Sequence, residues 1–200
     1  MLRPSFFLLA RMPMKYFSIQ DWKTGEPWDR IQADEKRYRN YVETIRHTLP
    51  PDLQRLCDFS PGWHEARISL NDCQVQGIRA SYEAQTVTVI ISGGYDDAEG
   101  RQVGLRRFTL NYTGVTEFQI NAGTENAYNP GPDTEPQNAA PSIYLSGGIE
   151  FDDHGWDEIE LVEDNLFEHR MLFASGTETA VRFHGFTLET IDVPHEAEGN

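Results

Sequence analysis

The hydrophobic period of this chain changes near residue 60, and that change limits what it can fold into. Between Asp29 and His47 the apolar side chains Ile31, Tyr38, Tyr41, Val42 and Ile45 recur at intervals of three, four and seven. That spacing places them on one stripe of a helix. Asp29, or Thr24 before it, is positioned to cap the start. Pro50-Pro51 ends the helix, because proline lacks the amide N–H and disfavours helix in the residue before it. Asp52 then caps a short second helix over 53–57, and Ser60-Pro61-Gly62 closes the segment as a turn cluster.

From His64 onward the period is two. Alternating, β-branched and aromatic-rich stretches cover 64–70, 75–82, 86–92, 105–112, 116–121, 143–151, 156–162, 166–174 and 179–187. Gly, Asn and Asp punctuate them. About nine strands with no helix between them predict an α+β, mainly β chain. Its N-terminal helical segment (14–63) packs on an antiparallel β-sandwich or open barrel (64–200). Residues 1–13 read as a flexible leader or as the product of a start codon placed too early. Residues 122–142, with Pro130, Pro132, Pro136 and Pro141, read as a long loop.

The last hairpin can be paired residue by residue. A three-residue loop at Ser175-Gly176-Thr177 puts Phe173 opposite Thr179, Met171 opposite Val181 and His169 opposite Phe183. The other face then carries Glu168, Arg170, Arg182 and His184, with the two arginines opposed. Such a pair repels unless an anion or carboxylate lies between them, so this face is a candidate carboxylate-binding spot. His169 on the inward face reads as a core histidine with one hydrogen bond.

Charge separates the two parts of the chain. The whole carries −15, but residues 64–200 hold 24 acidic against seven basic residues, a formal −17. Such a body repels nucleic acid and anionic lipid and attracts basic proteins. The run Phe6–Ala10 is too short for a secretory signal, and no apolar stretch approaches a membrane span. The expected location is therefore the cytoplasm, with Cys57 and Cys73 as packed, reduced thiols. Their spacing fits no zinc pattern, and no metal site is expected. The acidic stretches at 96–100 and 152–158 lack the calcium-loop pattern and read as hairpin tips around glycine. Nucleophile-elbow, phosphate-loop, dinucleotide and zinc-protease patterns are missing, so neither a cofactor nor an enzyme is expected.

Two short motifs carry a resemblance. Lys15-Tyr16-Phe17 followed by Trp22, and Ser60 to Ile68 reading Ser-Pro-Gly-Trp-His-Glu-Ala-Arg-Ile, together cover about a tenth of the chain. They resemble an uncharacterised family of small bacterial proteins. That family has an N-terminal Lys-Tyr-Phe…Trp motif, a helical segment, and a Ser-Leu-His-Asp-like motif leading into a β-rich body. The matching positions are Tyr16, Phe17, Trp22, His64 and Glu65. The chain departs from the pattern at Pro61-Gly62-Trp63, in place of one Leu, and at Glu65, in place of Asp. The resemblance implies architecture and no established activity. Physically, His64 and Glu65 suit a lock between the helical segment and the body, or a ligand contact.

The expected function is an acidic protein-binding module, in one version an immunity-type protein that neutralises a basic partner. The alternatives are a small-ligand binder or enzyme using His64, Glu65 and the Arg170/Arg182 face, and a self-associating structural subunit.

Overall fold

The computed structural model describes residues 14–18, 28–57, 70, 73–96, 102–121, 143–145, 149–151 and 154–194. Helix α1 runs Trp28–Ile45, a 3-10 turn follows at Arg46–Thr48, and α2 is Pro51–Leu56. The stripe expected from the sequence faces inward: Tyr38, Val42 and Ile45 are buried on α1, and Leu53 and Leu56 on α2. Asp52 does not cap α2. Pro50 holds the N-cap position, and Asp52 lies in the first turn. Its carboxylate instead accepts the Leu188 amide N–H at 3.0 Å and pairs with Arg55 at 2.9 Å. Asp52 thus ties α2 to the edge of the body.

The body is two four-stranded antiparallel sheets. The first has strand order β1-β2-β3-β10, from Gln74–Ser81, Thr86–Asp96, Gln102–Thr113 and Gly185–Pro194. The second has order β4-β9-β8-β7, from Glu117–Asn121, Glu178–Phe183, Leu166–Phe173 and His154–Glu163. Two short strands, β5 (Ile143–Leu145) and β6 (Ile149–Phe151), pair separately. The sheets meet through Tyr112 of β3, which packs edge-on against Phe183 of β9 at 5.0 Å. The fold is therefore mainly β with a helical N-terminal segment, and the β layer is an open two-sheet stack. Cys57 and Cys73 are buried and are not joined in a disulfide. Among the described residues no helix is long and apolar enough to cross a membrane.

Besides 143–151, which is two paired strands rather than one, three expectations are corrected by the strand bounds and pairing. The stretch 179–187 is not one strand: the chain leaves the second sheet after Phe183, bends at His184 and enters the first as β10. Gly185 permits the crossing, since a Cβ there would lie 2.4 Å from Thr113 Oγ1. His154-Gly155 is not a hairpin tip but the start of β7, and His154 is buried. A bulge between His154 and Trp156 breaks the alternation there, which hid the strand from a period-two reading. The segments 64–69 and 122–142, and the acidic residues 97, 99, 152 and 153, lie outside the described residues.

The third correction is the register of the last hairpin. The loop is Ala174-Ser175-Gly176, closed by Phe173 N–H to Thr177 O at 2.9 Å and Gly176 N–H to Phe173 O at 2.8 Å. Gly176 has φ 79°, so it occupies the left-handed third position of the loop rather than its centre. The pairing slides by two residues: Met171 faces Thr179, His169 faces Val181 and Glu168 faces Arg182. A slide of two keeps every side chain on its expected face but changes every partner.

Helix α1 covers the free edge of β7. The Ile159 amide donates to the Tyr38 hydroxyl at 2.6 Å and the Leu161 amide to the Tyr41 hydroxyl at 3.0 Å. Two tyrosines one helical turn apart thus satisfy alternate amides of an edge strand that would otherwise stay open. Tyr38→Phe leaves the buried Ile159 N–H unpaired and is expected to destabilise the fold by about 1–3 kcal/mol in urea unfolding. A loss below a few tenths of a kcal/mol would show that the hydroxyl does not carry this contact.

Candidate binding surfaces

The slide of the last hairpin decides the chemistry of the charged face. The sequence pairing set Arg170 against Arg182 and called for an outside anion. In the structure Arg182 stands opposite Glu168, and Arg170 opposite Glu158 on one side and Ala180 on the other. One row across the sheet reads Glu160, Glu168, Arg182, Glu117. Its two directly opposed carboxylates, Glu160 and Glu168, repel. Arg170 reaches across from the neighbouring row and bonds both, at 3.1 Å to Glu160 and more closely to Glu168. It also lies 3.6 Å from Glu158. Arg182 bonds Glu168 and, at 2.8 Å, Glu117. The carboxylates between the arginines are the protein's own.

Burial makes this network sensitive. Side-chain exposure is 9% for Arg170, 3% for Glu168 and 2% for Glu158. Burial raises the Glu158 carboxyl above its ordinary range, against the pull of three backbone amides and of Arg170. Those amides belong to the N-terminal strap, Met14–Ser18. Lys15 N–H donates to Glu158 Oε2 at 2.8 Å, and Tyr16 and Phe17 N–H donate to Oε1 at 2.6 and 3.0 Å. Three successive amides converging on one carboxylate form a concave anion cradle. Around it, Phe17 stacks on Trp156 at 5.5 Å and meets Tyr38 edge-on at 5.7 Å. The Lys15 ammonium bonds Glu160 at 3.0 Å and lies 5.3 Å from the centre of the Tyr41 ring.

Of the candidate residues, Glu168, Arg170 and Arg182 are brought together. His184 stands apart, exposed at the bend between the sheets, with Nδ1 2.7 Å from the Asn165 carbonyl oxygen. His64 and Glu65 lie outside the described residues. Sequence reasoning missed Glu117, Glu158 and Glu160 as members of the network. They sit on period-two positions of neighbouring strands, so only the strand order joins them to Arg170 and Arg182.

A second polar group lies between the sheets. His169 Nδ1 is hydrogen-bonded to the Tyr112 hydroxyl at 2.7 Å, as the core-histidine reading requires, and Nε2 is 3.7 Å from Asp157. In the sequence no second His, Cys or carboxylate lies near His169 at a metal-ligand spacing. Pairing of β7 with β8 brings Asp157 opposite Met171 and His154 opposite Phe173 on the same face. Burial disfavours the Asp157 charge, but the His169 ring 3.7 Å away and the nearness of His154 hold its carboxyl below the ordinary range. His154 is 1% exposed and packs edge-on against Phe173 at 5.7 Å. The Leu70 carbonyl faces its ring, yet neither ring nitrogen closes a hydrogen bond. Burial lowers the His154 pKa to about 4, with His169 adding to the effect and Asp157 opposing it.

The turns at one end of the body are adjacent. Val115 N–H donates to Gln85 O at 2.9 Å, His184 N–H to Thr113 O at 3.1 Å, and the His184 ring reaches Asn165. This end exposes Glu83, Glu163 and Asp164, with Tyr82 at 63% exposure beside them. Gln85, Gly114 and Asn165 all take positive φ, which fixes these turns in tight conformations. No protein-family model matches the chain, and no curated protein matches it.

Proposed function

We propose that the protein is an acidic protein-binding module whose partner is a basic protein, with an immunity-type inhibitor as the concrete form. The observation that carries this reading is the disposal of charge. Arg106 is bound to Asp192 at 2.6 Å, and Arg170 and Arg182 are bound within the buried network. On α1 Arg37 pairs with Asp34 and Arg39 with Glu35, and Arg46 of the following turn pairs with Glu43. Much of the positive charge is thus neutralised internally, whereas Glu83, Glu163, Asp164 and Glu189 face solvent. A body carrying formal −17 and arranged this way presents a negative field to a partner. Exposed Tyr82 within the acidic end supplies the aromatic contact that binding sites favour. The bacterial, cytoplasmic setting belongs to this same reading.

The test reverses charge where the reading puts it. The triple variant Glu83→Lys, Glu163→Lys, Asp164→Lys is expected to lose a basic partner captured by the unaltered chain. Glu43→Lys on α1 should weaken capture less. Equal capture by both variants would contradict a role for the acidic end.

Self-association is the second reading, favoured by Leu105, Ile191 and Val193. They are exposed side by side on β3 and β10, with Val193 directly opposite Leu105. An elution volume in gel filtration that stays monomeric across a hundredfold concentration range would exclude it.

A further inference from the structure

We propose that the Glu158 site is a peptide-docking site, occupied here by the chain's own strap, and that a basic–aromatic segment of the partner takes the strap's place. This deepens the protein-binding reading and rests on it for the existence of a partner. The site itself stands on separate contacts.

The receptor side is built without the strap. It consists of the buried Glu158 carboxylate, Glu160 beside it, the Trp156 ring, and the Tyr38 and Tyr41 rings of α1. Tyr38 and Tyr41 are held by their bonds to β7, and Glu158 and Glu160 by Arg170. A carboxylate this buried needs donors, and Arg170 supplies only part of them. The strap supplies the rest through backbone amides, which any non-proline residue offers. Side chains then select: an ammonium for Glu160 and the Tyr41 face, and a flat ring for Trp156. The matching occupant is an extended segment with a basic residue followed, two positions later, by an aromatic one. A basic partner suits this site on charge, since Glu158 and Glu160 both face it. In sequence, residues 19–27 join the strap to α1, and the bonds of Tyr38 and Tyr41 to β7 do not involve the strap.

The test uses the full chain with a protease site placed within 19–27 and cut once. A labelled peptide of residues 14–18 (Met-Lys-Tyr-Phe-Ser) is the probe. It should bind the cut protein saturably and replace the resident strap. The uncut chain should bind at least about tenfold more weakly, because its strap competes intramolecularly. Peptides carrying Lys15→Glu or Phe17→Ala should each bind about tenfold more weakly, and these changes leave the receptor untouched. A cut protein that keeps its circular dichroism but binds no peptide overturns the proposal. A cut protein that unfolds on losing the strap supports the proposal if millimolar peptide restores the fold, and overturns it if not. A concentration-dependent dimer formed by strap exchange in the uncut chain assigns the site to a second copy and overturns the partner segment. Peptide binding without any captured basic protein would remove the protein-binding reading while leaving the docking site in place.

Discussion

Arg170→Met is expected to lower unfolding free energy by about 3–5 kcal/mol at neutral pH, the cost of leaving buried Glu158 without its cation and the opposed Glu160 and Glu168 without the one they share. Glu158, Glu160 and Glu168 converge on this one guanidinium, and Glu160 and Glu168 stand directly opposite each other. Methionine fills much of the same volume, so the loss reports charge rather than a cavity. Arg170→Lys keeps the charge but lacks the planar fork that reaches several carboxylates at once, and should fall between. The deficit should shrink as the solution is acidified. Glu158 has a raised carboxyl pKa in the folded state, so its contribution is full below the ordinary carboxylate pKa and is lost as pH rises through the folded value. Protonated Glu158 no longer needs Arg170. Urea unfolding of the three proteins from neutral pH down to about pH 4, past the ordinary carboxylate pKa, measures this. A loss under about 1 kcal/mol for Arg170→Met would mean that the network is solvated and marginal.

His154 is expected to make the protein sensitive to acid by about 3 kcal/mol, from its descent from the ordinary 6.5 to about 4. The sign follows from a lowered histidine pKa. The unfolded chain takes up the proton first, so stability is full above pH 6.5 and falls as pH drops toward 4, below which the effect is complete. Asp157 and His169 are its titratable neighbours, and Phe173 packs against its ring. His154→Met removes the titration without breaking a ring hydrogen bond. The variant should therefore lose much less stability than the unaltered protein over that window. Parallel curves for the two would show that His154 is solvated in the folded state.

The two parts of the fold differ in how far the sequence discloses them. The helical stripe Tyr38, Val42 and Ile45 is buried as its spacing requires, since a helix is written within a few consecutive turns. Sheet faces are almost as local. His169 and Phe183 face the core, and Glu168 and Arg182 face away, under either register of the hairpin. Partners across strands are not local. The position of one glycine, third rather than second in its loop, replaces an arginine pair with an arginine–glutamate pair. That single substitution of partner turns a site needing an outside anion into a self-neutralised network.

Other contacts were hidden for different reasons. The His154 bulge interrupts the alternation, so a buried strand start has the composition of an exposed acidic turn. The Glu158 cradle joins side chain and backbone 141 to 143 residues apart, and no periodicity carries such a contact. The edge-covering tyrosines were legible as a stripe but not as hydrogen-bond acceptors, since that role depends on which strand ends beside the helix.

Binding of a basic protein through charge is the function we propose. Affinity capture on the full chain at low and at high salt, read by mass spectrometry, tests it most directly. One basic protein should be recovered at low salt and lost at high salt, because exposed charge is screened within about 10 Å at 0.1 M and within about 3 Å at 1 M. Recovery of no protein at either salt, or of a partner held equally at both, would contradict it.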